Sequence, residues 1–290
     1  MSSASTKCGL FRRQPGDAVV GDYYIEPTNF CNLRCEMCPN RISPRPRGYM
    51  SWELFVKAVD QHPSPVIHLY FGGEPLCHPR IADFVAYAKK KTATTLYTNG
   101  LLLTPILAQQ FCEAGLDVLG ISLDAVDPLL YREKRVGGCL DVLLANMRMF
   151  KEIRGSAKRP ILVVDLIRFP DEQDQMNMAR TLLKDLADEI HAKAYFHYPL
   201  LSAEPNLVQP PCAQPEASLA ILWDGRVTVC CLDFGAVGVV GDLNKQSMTE
   251  VLSSSARNLI RQACAGGQQG LLAMCRTCRS AEAMNQPYLQ

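Results

Sequence analysis

A chain of 290 residues with 48% apolar side chains can bury one large domain, or one medium domain with a small appendage. Its net charge of +1 gives no support to a general nucleic-acid or membrane-surface binder. No window approaches about eighteen consecutive apolar residues and the N-terminus holds no signal-peptide core, so a soluble, cytoplasmic protein with no nucleic-acid or membrane partner is expected.

Residues 1–21 read as a flexible leader, with Cys8 a spare thiol. From residue 23 onward, short apolar runs alternate with helical periodicity, the pattern of repeated βα units on a parallel sheet. The first strand falls at 23–26. An irregular loop with Pro39, Pro44 and Pro46 follows, and Ser51 caps a helix whose apolar face is Trp52, Phe55, Val56 and Val59. Strand two is expected at 66–71, and Pro79 opens a helix bearing Ile81, Phe84, Val85 and Ala88. Strand three lies at about 94–97. Thr104 and Pro105 form an N-cap and N1 pair, and that helix stops near Gly115. Strand four spans 118–123, and Leu140, Leu143, Leu144 and Met147 mark a longer helix ending at Gly155. Strand five spans 161–167, and a helix around Met176, Ala179, Leu182 and Leu186 leads to strand six at 190–196. Six such units are too few to close an eight-stranded barrel. The expected fold is therefore α/β, a partial (β/α)6 barrel-like sheet with its chemistry at the C-terminal strand edge. The proline-rich stretch 197–211 is the best linker; no internal repeat or low-complexity tract is present.

Thirteen cysteines is a high and odd count, which in a reducing compartment points to metal rather than paired disulfides. Cys31, Cys35 and Cys38 follow the first strand as CxxxCxxC. Thiolates favour iron–sulfur clusters or zinc, and three of them cover three corners of a cubane, leaving its fourth iron open to an outside ligand. A structural zinc site would want a fourth cysteine or histidine close by. After strand two comes Gly72-Gly73-Glu74-Pro75, where two glycines allow close backbone approach.

These two motifs, at this spacing, resemble the radical S-adenosylmethionine (radical SAM) superfamily. The resemblance implies a SAM-binding [4Fe–4S] cluster on Cys31, Cys35 and Cys38, with S-adenosylmethionine as cosubstrate. Met37 stands where the family often has an aromatic residue against the adenine. Gly72, Gly73, Glu74 and Pro75 would hold the ligand's ammonium group. Asn99 and Ser122, closing strands three and four, would lie near its ribose and methionine parts, and Arg135 is a candidate for its carboxylate. The bland readings are an Asn-Gly turn, a strand-end serine and a solvated arginine.

Past the linker, Cys212, Gly225, Cys230, Cys275 and Cys278 form Cx12Gx4C…CxxC. The runs 219–223 and 226–229 flank Asp224-Gly225, a hairpin signal, and 248–260 reads as one short helix. Spacing alone suits a tetrahedral zinc site equally well. The whole resembles the twitch domain, a shortened SPASM domain, which implies an auxiliary [4Fe–4S] cluster. Cys231, beside Cys230, is an alternative ligand, a buried small side chain or a hydrogen donor. Cys77, Cys112, Cys139 and Cys264 have no partner spacing.

Residues 22–280, including the CPN, GEPL, YTNG and GxVxxCxxDF stretches, look closest to the twitch dehydrogenases of aminocyclitol antibiotic biosynthesis. That resemblance implies a radical SAM core over 22–200 and a twitch domain over 201–290. It also implies oxidation of a secondary alcohol in a small substrate, with the auxiliary cluster taking an electron and a flavodoxin- or ferredoxin-type donor supplying one. Candidates for the base are Glu26, Asp165, Arg168 and His197, with Tyr198 adjacent. The alternatives are an epimerase with Cys231 or Cys139 as hydrogen donor, or a peptide-modifying enzyme, for which the stretch before residue 23 offers little room for a leader-binding domain.

Overall fold

The computed structural model describes residues 20–169, 175–195, 198–201, 205 and 210–279. Its frame is a sheet of nine strands, in the order β6-β5-β4-β3-β2-β1-β7-β8-β9. The first six are β1 (Asp22–Ile25), β2 (Val66–His68), β3 (Ala93–Thr98), β4 (Val118–Ser122), β5 (Ile161–Arg168) and β6 (Glu189–Ala194). All five of their neighbouring pairs are parallel and follow chain order, so the open six-unit sheet expected from the alternation is present. The crossovers carry α1 (Trp52–Asp60), α2 (Ile81–Lys89), α3 (Pro105–Glu113), α4 (Pro128–Lys134), α5 (Leu140–Arg154) and α6 (Gln175–Leu183).

The two faces of the sheet differ because side chains alternate along each strand. Tyr23, Ile25, Ile67, Leu96, Leu119, Ile121, Leu162 and Val164 face the helices and merge with Phe55, Phe84, Phe111 and Phe150 in one apolar core. The registered positions on the other face are aromatic or polar: Tyr24 opposite His68, His68 opposite Thr95, Tyr97 opposite Gly120, Ser122 opposite Asp165. That concave face holds the site.

Local signals act where they stand in the sequence. Ser51 and Thr104 accept hydrogen bonds from the Leu54 and Leu107 amides, as caps should, and Gly115 takes a φ of +71° just past α3. Several expectations need correction. β2 ends at His68 rather than 71. Helix α2 begins at Ile81 rather than at Pro79, because the His78 ring accepts from the Arg80 amide and turns the chain first. Helix α4 was missed, although Asp127 caps it by accepting from the Leu129 and Leu130 amides. The single helix expected at 248–260 is two, α8 (Met248–Leu252) and α9 (Ser255–Ala265) after the short α7 (Gln214–Ala217). Ser253 bonds back to the Thr249 carbonyl while Ser254 caps the next helix, so two adjacent serines compete with the ladder.

The C-terminal part does not stand apart as its own sheet. Strand β7 (Ser218–Ile221) pairs parallel to β1 over four residues, and β8 (Arg226–Thr228) and β9 (Val239–Asp242) extend it antiparallel. The Asp224-Gly225 hairpin forms as expected, with Gly225 at φ +93°. Residues 1–19 of the expected leader, His197, most of the 197–211 linker and the last eleven residues lie outside the described residues, while Val20 and Gly21 already pack into the fold. Among those described, no helix is long and apolar enough to cross a membrane.

Candidate active site

A cavity of about 250 Å³ opens over the C-terminal edge of the parallel strands. Cys31, Cys35 and Cys38 line it together with Met37, Gly72, Gly73, Glu74, Asn99, Ser122 and Arg135, and so do Asp165, Lys193, Tyr198, Cys231 and Phe234. The sequence-predicted SAM residues are thus gathered in one place, Pro75 excepted, which opens the turn Pro75–Cys77 just behind.

The loop bearing the three thiols is held by backbone packing. A Cβ on Gly73 would strike the Thr28 and Phe30 carbonyl oxygens, and one on Gly72 would strike the Glu26 carboxylate. Their lack of side chains therefore lets the GGEP turn close against the cysteine loop, in addition to leaving backbone on the cavity wall. The Glu74 amide completes the contact by donating to the Phe30 carbonyl at 2.8 Å.

Glu74 is 3% exposed. Its carboxylate accepts from the Thr98 hydroxyl at 2.6 Å, the Asn99 amide at 2.8 Å and the Leu76 amide at 3.0 Å. Burial raises its pKa, and those hydrogen bonds only partly offset the effect. All three donors are neutral, so among the described residues this buried anion is paired with no cation of its own. A cationic ligand group at this wall fits that need. Asn99 spends its side chain on structure, donating to Asn32 at 2.8 Å and accepting from the Leu101 amide at 3.0 Å.

Burial pushes the Cys31 thiol up to about 12, with Glu74 and the two neighbouring thiols adding to the effect. It raises Cys35 and Cys38 as well, Arg135 opposing it in both. Arg135 sits 2.5 Å from Asp124 and 3.9 Å from the Cys35 sulfur. Asp124, which the sequence reading passed over, holds a φ of +67° at the end of β4. Its other oxygen accepts from the Ile167 amide. Arg135 is therefore already committed to a carboxylate, and its expected hold on the ligand's carboxylate would be shared.

The base candidates separate. Glu26 is fully buried, but Arg45 grips both of its oxygens, at 2.6 and 2.8 Å, and the Gly72 and Trp223 amides donate to them. It does not line the cavity, so its expected role as a base gives way to a structural one. Asp165 does line it, paired with Lys193 and 3.6 Å from His191. The partner is a lysine two positions along β6 from His191, a period-2 signal that strand register alone would reveal. Lys193 also sits 4.8 Å from the centre of the Tyr97 ring. Arg168 ends β5, with its side chain outside the described residues.

A second, narrower cavity lies behind the first. Cys212, Cys230, Cys275 and Cys278 line it, and so does Cys264. Cys264 is fully buried at the end of α9; its carbonyl accepts from the Cys212 amide at 3.1 Å and its thiol contacts that of Cys275. Its lack of CxxC spacing hid this. Cys230 lines the second cavity and the adjacent Cys231 the first, with the two thiols in contact and the Cys231 sulfur 3.8 Å from Gln214. Among the described residues no three side chains already close around a single metal ion, so the two ligand sets rest on shared cavities and donor chemistry. Both sets suit iron–sulfur clusters: three thiols with an open place beside a ligand pocket, and at least four thiols in a closed, apolar one.

The family model for the radical SAM superfamily matches residues 25–176, and that for the SPASM iron–sulfur cluster-binding domain matches residues 212–279. The tungsten-containing aldehyde ferredoxin oxidoreductase cofactor-modifying protein of Pyrococcus furiosus is 40% identical over 108 residues, 36% of this chain and 30% of that one. The GTP 3',8-cyclase of Heliobacterium modesticaldum is 39% identical over 138 residues, 43% and 42% of the two chains. The chain thus spans less than half the length of these curated relatives. Among solved structures, BtrN in complex with AdoMet and 2-DOIA aligns with 94% of this chain and all of its own, at a TM-score of 0.66 and 18% identity. Streptococcus suis SuiB bound to precursor peptide SuiA gives 0.70 at 12% identity, over 84% of this chain and 67% of that one. At such identities these structures speak for the fold.

Proposed function

Since the chain belongs to the radical SAM superfamily and carries its SPASM-type cluster-binding region, we propose that it oxidises a secondary alcohol of a small, polar, aminocyclitol-like molecule. The observation that carries this reading is one cavity lined by the first three cysteines, the Asp165–Lys193 pair and Cys231, whose neighbour Cys230 lines the second cavity with the other C-terminal thiols. When bound, the first cluster and S-adenosylmethionine supply a radical able to remove a hydrogen atom from a carbinol carbon. Cys31, Cys35 and Cys38 hold that cluster, and Glu74 holds the ligand's ammonium group. Asp165, oriented by Lys193, accepts the hydroxyl proton. Cys212, Cys230, Cys275 and Cys278 hold the group that takes up the released electron, one residue away from the Cys231 wall.

The cations that line the cavity among the described residues, Arg135 and Lys193, are each paired with a carboxylate. That supports a substrate of little net charge over a triphosphate such as that named for the cyclase relatives. A second reading, epimerisation, is favoured by one observation: Cys231 lines the same cavity as the first three cysteines. Anaerobic turnover with 2-DOIA and related aminocyclitols in deuterium oxide separates the two. Oxidation predicts a product two hydrogens lighter with no solvent deuterium at carbon. Unchanged mass with one solvent deuterium, abolished by Cys231→Ala, would replace oxidation with epimerisation.

A further inference from the structure

Five thiols, not four, line the second cavity. The fifth, Cys264, is brought there by a helix rather than by a motif. Arg257 and Cys264 stand two turns apart on α9 and share its inner face, each only 1% exposed. From that face Cys264 reaches two of the thiol-bearing segments at once. Its carbonyl accepts from the Cys212 amide at 3.1 Å, and its thiol contacts that of Cys275. One residue outside every cysteine motif thus ties together segments that lie on either side of the hairpin and of α9. Pro199, Pro215, Leu232 and Met274 supply apolar lining around these thiols, and in such surroundings a hydrogen bond meets little competition from water.

We infer that Cys264 donates an S–H hydrogen bond to the Cys275 sulfur once that sulfur ligates the auxiliary cluster, and that this bond raises the cluster's reduction potential. The inference rests on reading Cys212, Cys230, Cys275 and Cys278 as the four ligands. A ligating thiol gives up its proton on binding metal, so Cys275 becomes an acceptor and Cys264 remains the donor against it. Reduction adds negative charge to a cluster and its sulfurs, and a hydrogen bond to a ligating sulfur stabilises that reduced form more than the oxidised one. The proton stays on Cys264; no bond is broken and no atom is transferred. Cys264 is therefore a positioning residue, acting through Cys275. A higher potential makes the cluster the better electron acceptor, which is the part proposed for it above.

The test uses the full chain with Cys31, Cys35 and Cys38 all changed to alanine, so that iron and redox signals report the C-terminal group alone. Reconstituted anaerobically, this parent should hold about four irons. Cys264→Ala in the same background should also hold about four, while its midpoint potential, read by potentiometric titration with electron paramagnetic resonance, moves to a more negative value. Cys264→Ser, whose hydroxyl still donates, should fall between the two. A loaded Cys264→Ala at the parent's potential overturns the proposal. So does a loaded Cys264→Ser shifted as far as Cys264→Ala, which would trace the shift to packing. Iron loss in either variant overturns it by making Cys264 a ligand or a support of the pocket. A parent without iron would overturn the ligand reading beneath it, and this proposal with it. No readout involves the alcohol, so the oxidation reading and this one can fail separately.

Discussion

Glu26 and Arg45 carry more of the architecture than any other charged pair. Both side chains are almost wholly buried, and Arg45 also donates to the Phe234 carbonyl at 2.9 Å. The end of β1, the cysteine loop, the GGEP turn and the C-terminal hairpin therefore meet on one ion pair. Removing one partner of such a pair strands the other's charge. Glu26→Gln should lower stability by about 3 kcal/mol in chemical unfolding; a change below about 1 kcal/mol would remove it from this role. Asp165 is the residue proposed as the base. Asp165→Asn should cut alcohol turnover by about 10²-fold or more, while binding of S-adenosylmethionine, read by calorimetry, stays at the wild-type level. Parity along β1 placed Glu26 at the strand end, and its partner lies nineteen residues on in an irregular loop, where no periodicity points to it. His78 gives the pH prediction. It is 4% exposed, and burial lowers its pKa. Its Nδ1 accepts from the Arg80 amide and its Nε2 faces the Met50 carbonyl at 3.1 Å, so the neutral ring is the one that fits. A depressed folded-state pKa contributes stability in full above the ordinary histidine value near 6.5, and that contribution is lost as pH falls through it toward the folded value. Urea midpoints should thus drop from pH 7.5 to 5.5, and His78→Gln should flatten the slope. An identical slope in the variant would assign the acid loss elsewhere.

At the scale of elements, legibility tracked how local the cause was. Caps at Ser51 and Thr104, the stop at Gly115 and the Asp-Gly hairpin are decided by residues two to four positions apart, and all were readable. The order of six parallel strands followed from alternation alone. Lys193 was not readable in the same way, since it joins the site only through the register of β6 on β5. Cys264 was hidden for the same reason: α9 brings it to the second thiol group from a distance in sequence. The GGEP turn shows a motif read correctly for its place and incompletely for its cause. Gly73→Ala should push the turn off the cysteine loop, because the atoms it meets are backbone oxygens that cannot move aside. Iron bound by the first cysteine group should fall by half or more, with the C-terminal group still loaded. Full iron content in Gly73→Ala would mean that the loop tolerates the displacement.

On the scale of the whole molecule, one continuous sheet carries both cysteine groups, as the proposed oxidation requires. β7 pairs directly with β1, so the C-terminal cysteines are held at a fixed offset from the first strand and its cysteine loop. At the Cys230–Cys231 step two touching thiols each line a different cavity. Iron counting tests the two separate cysteine groups. Anaerobically reconstituted wild-type chain should hold about eight irons, Cys230→Ala about four, and Cys231→Ala about eight. A wild-type chain with four irons, or a loss in Cys231→Ala with none in Cys230→Ala, would contradict that assignment.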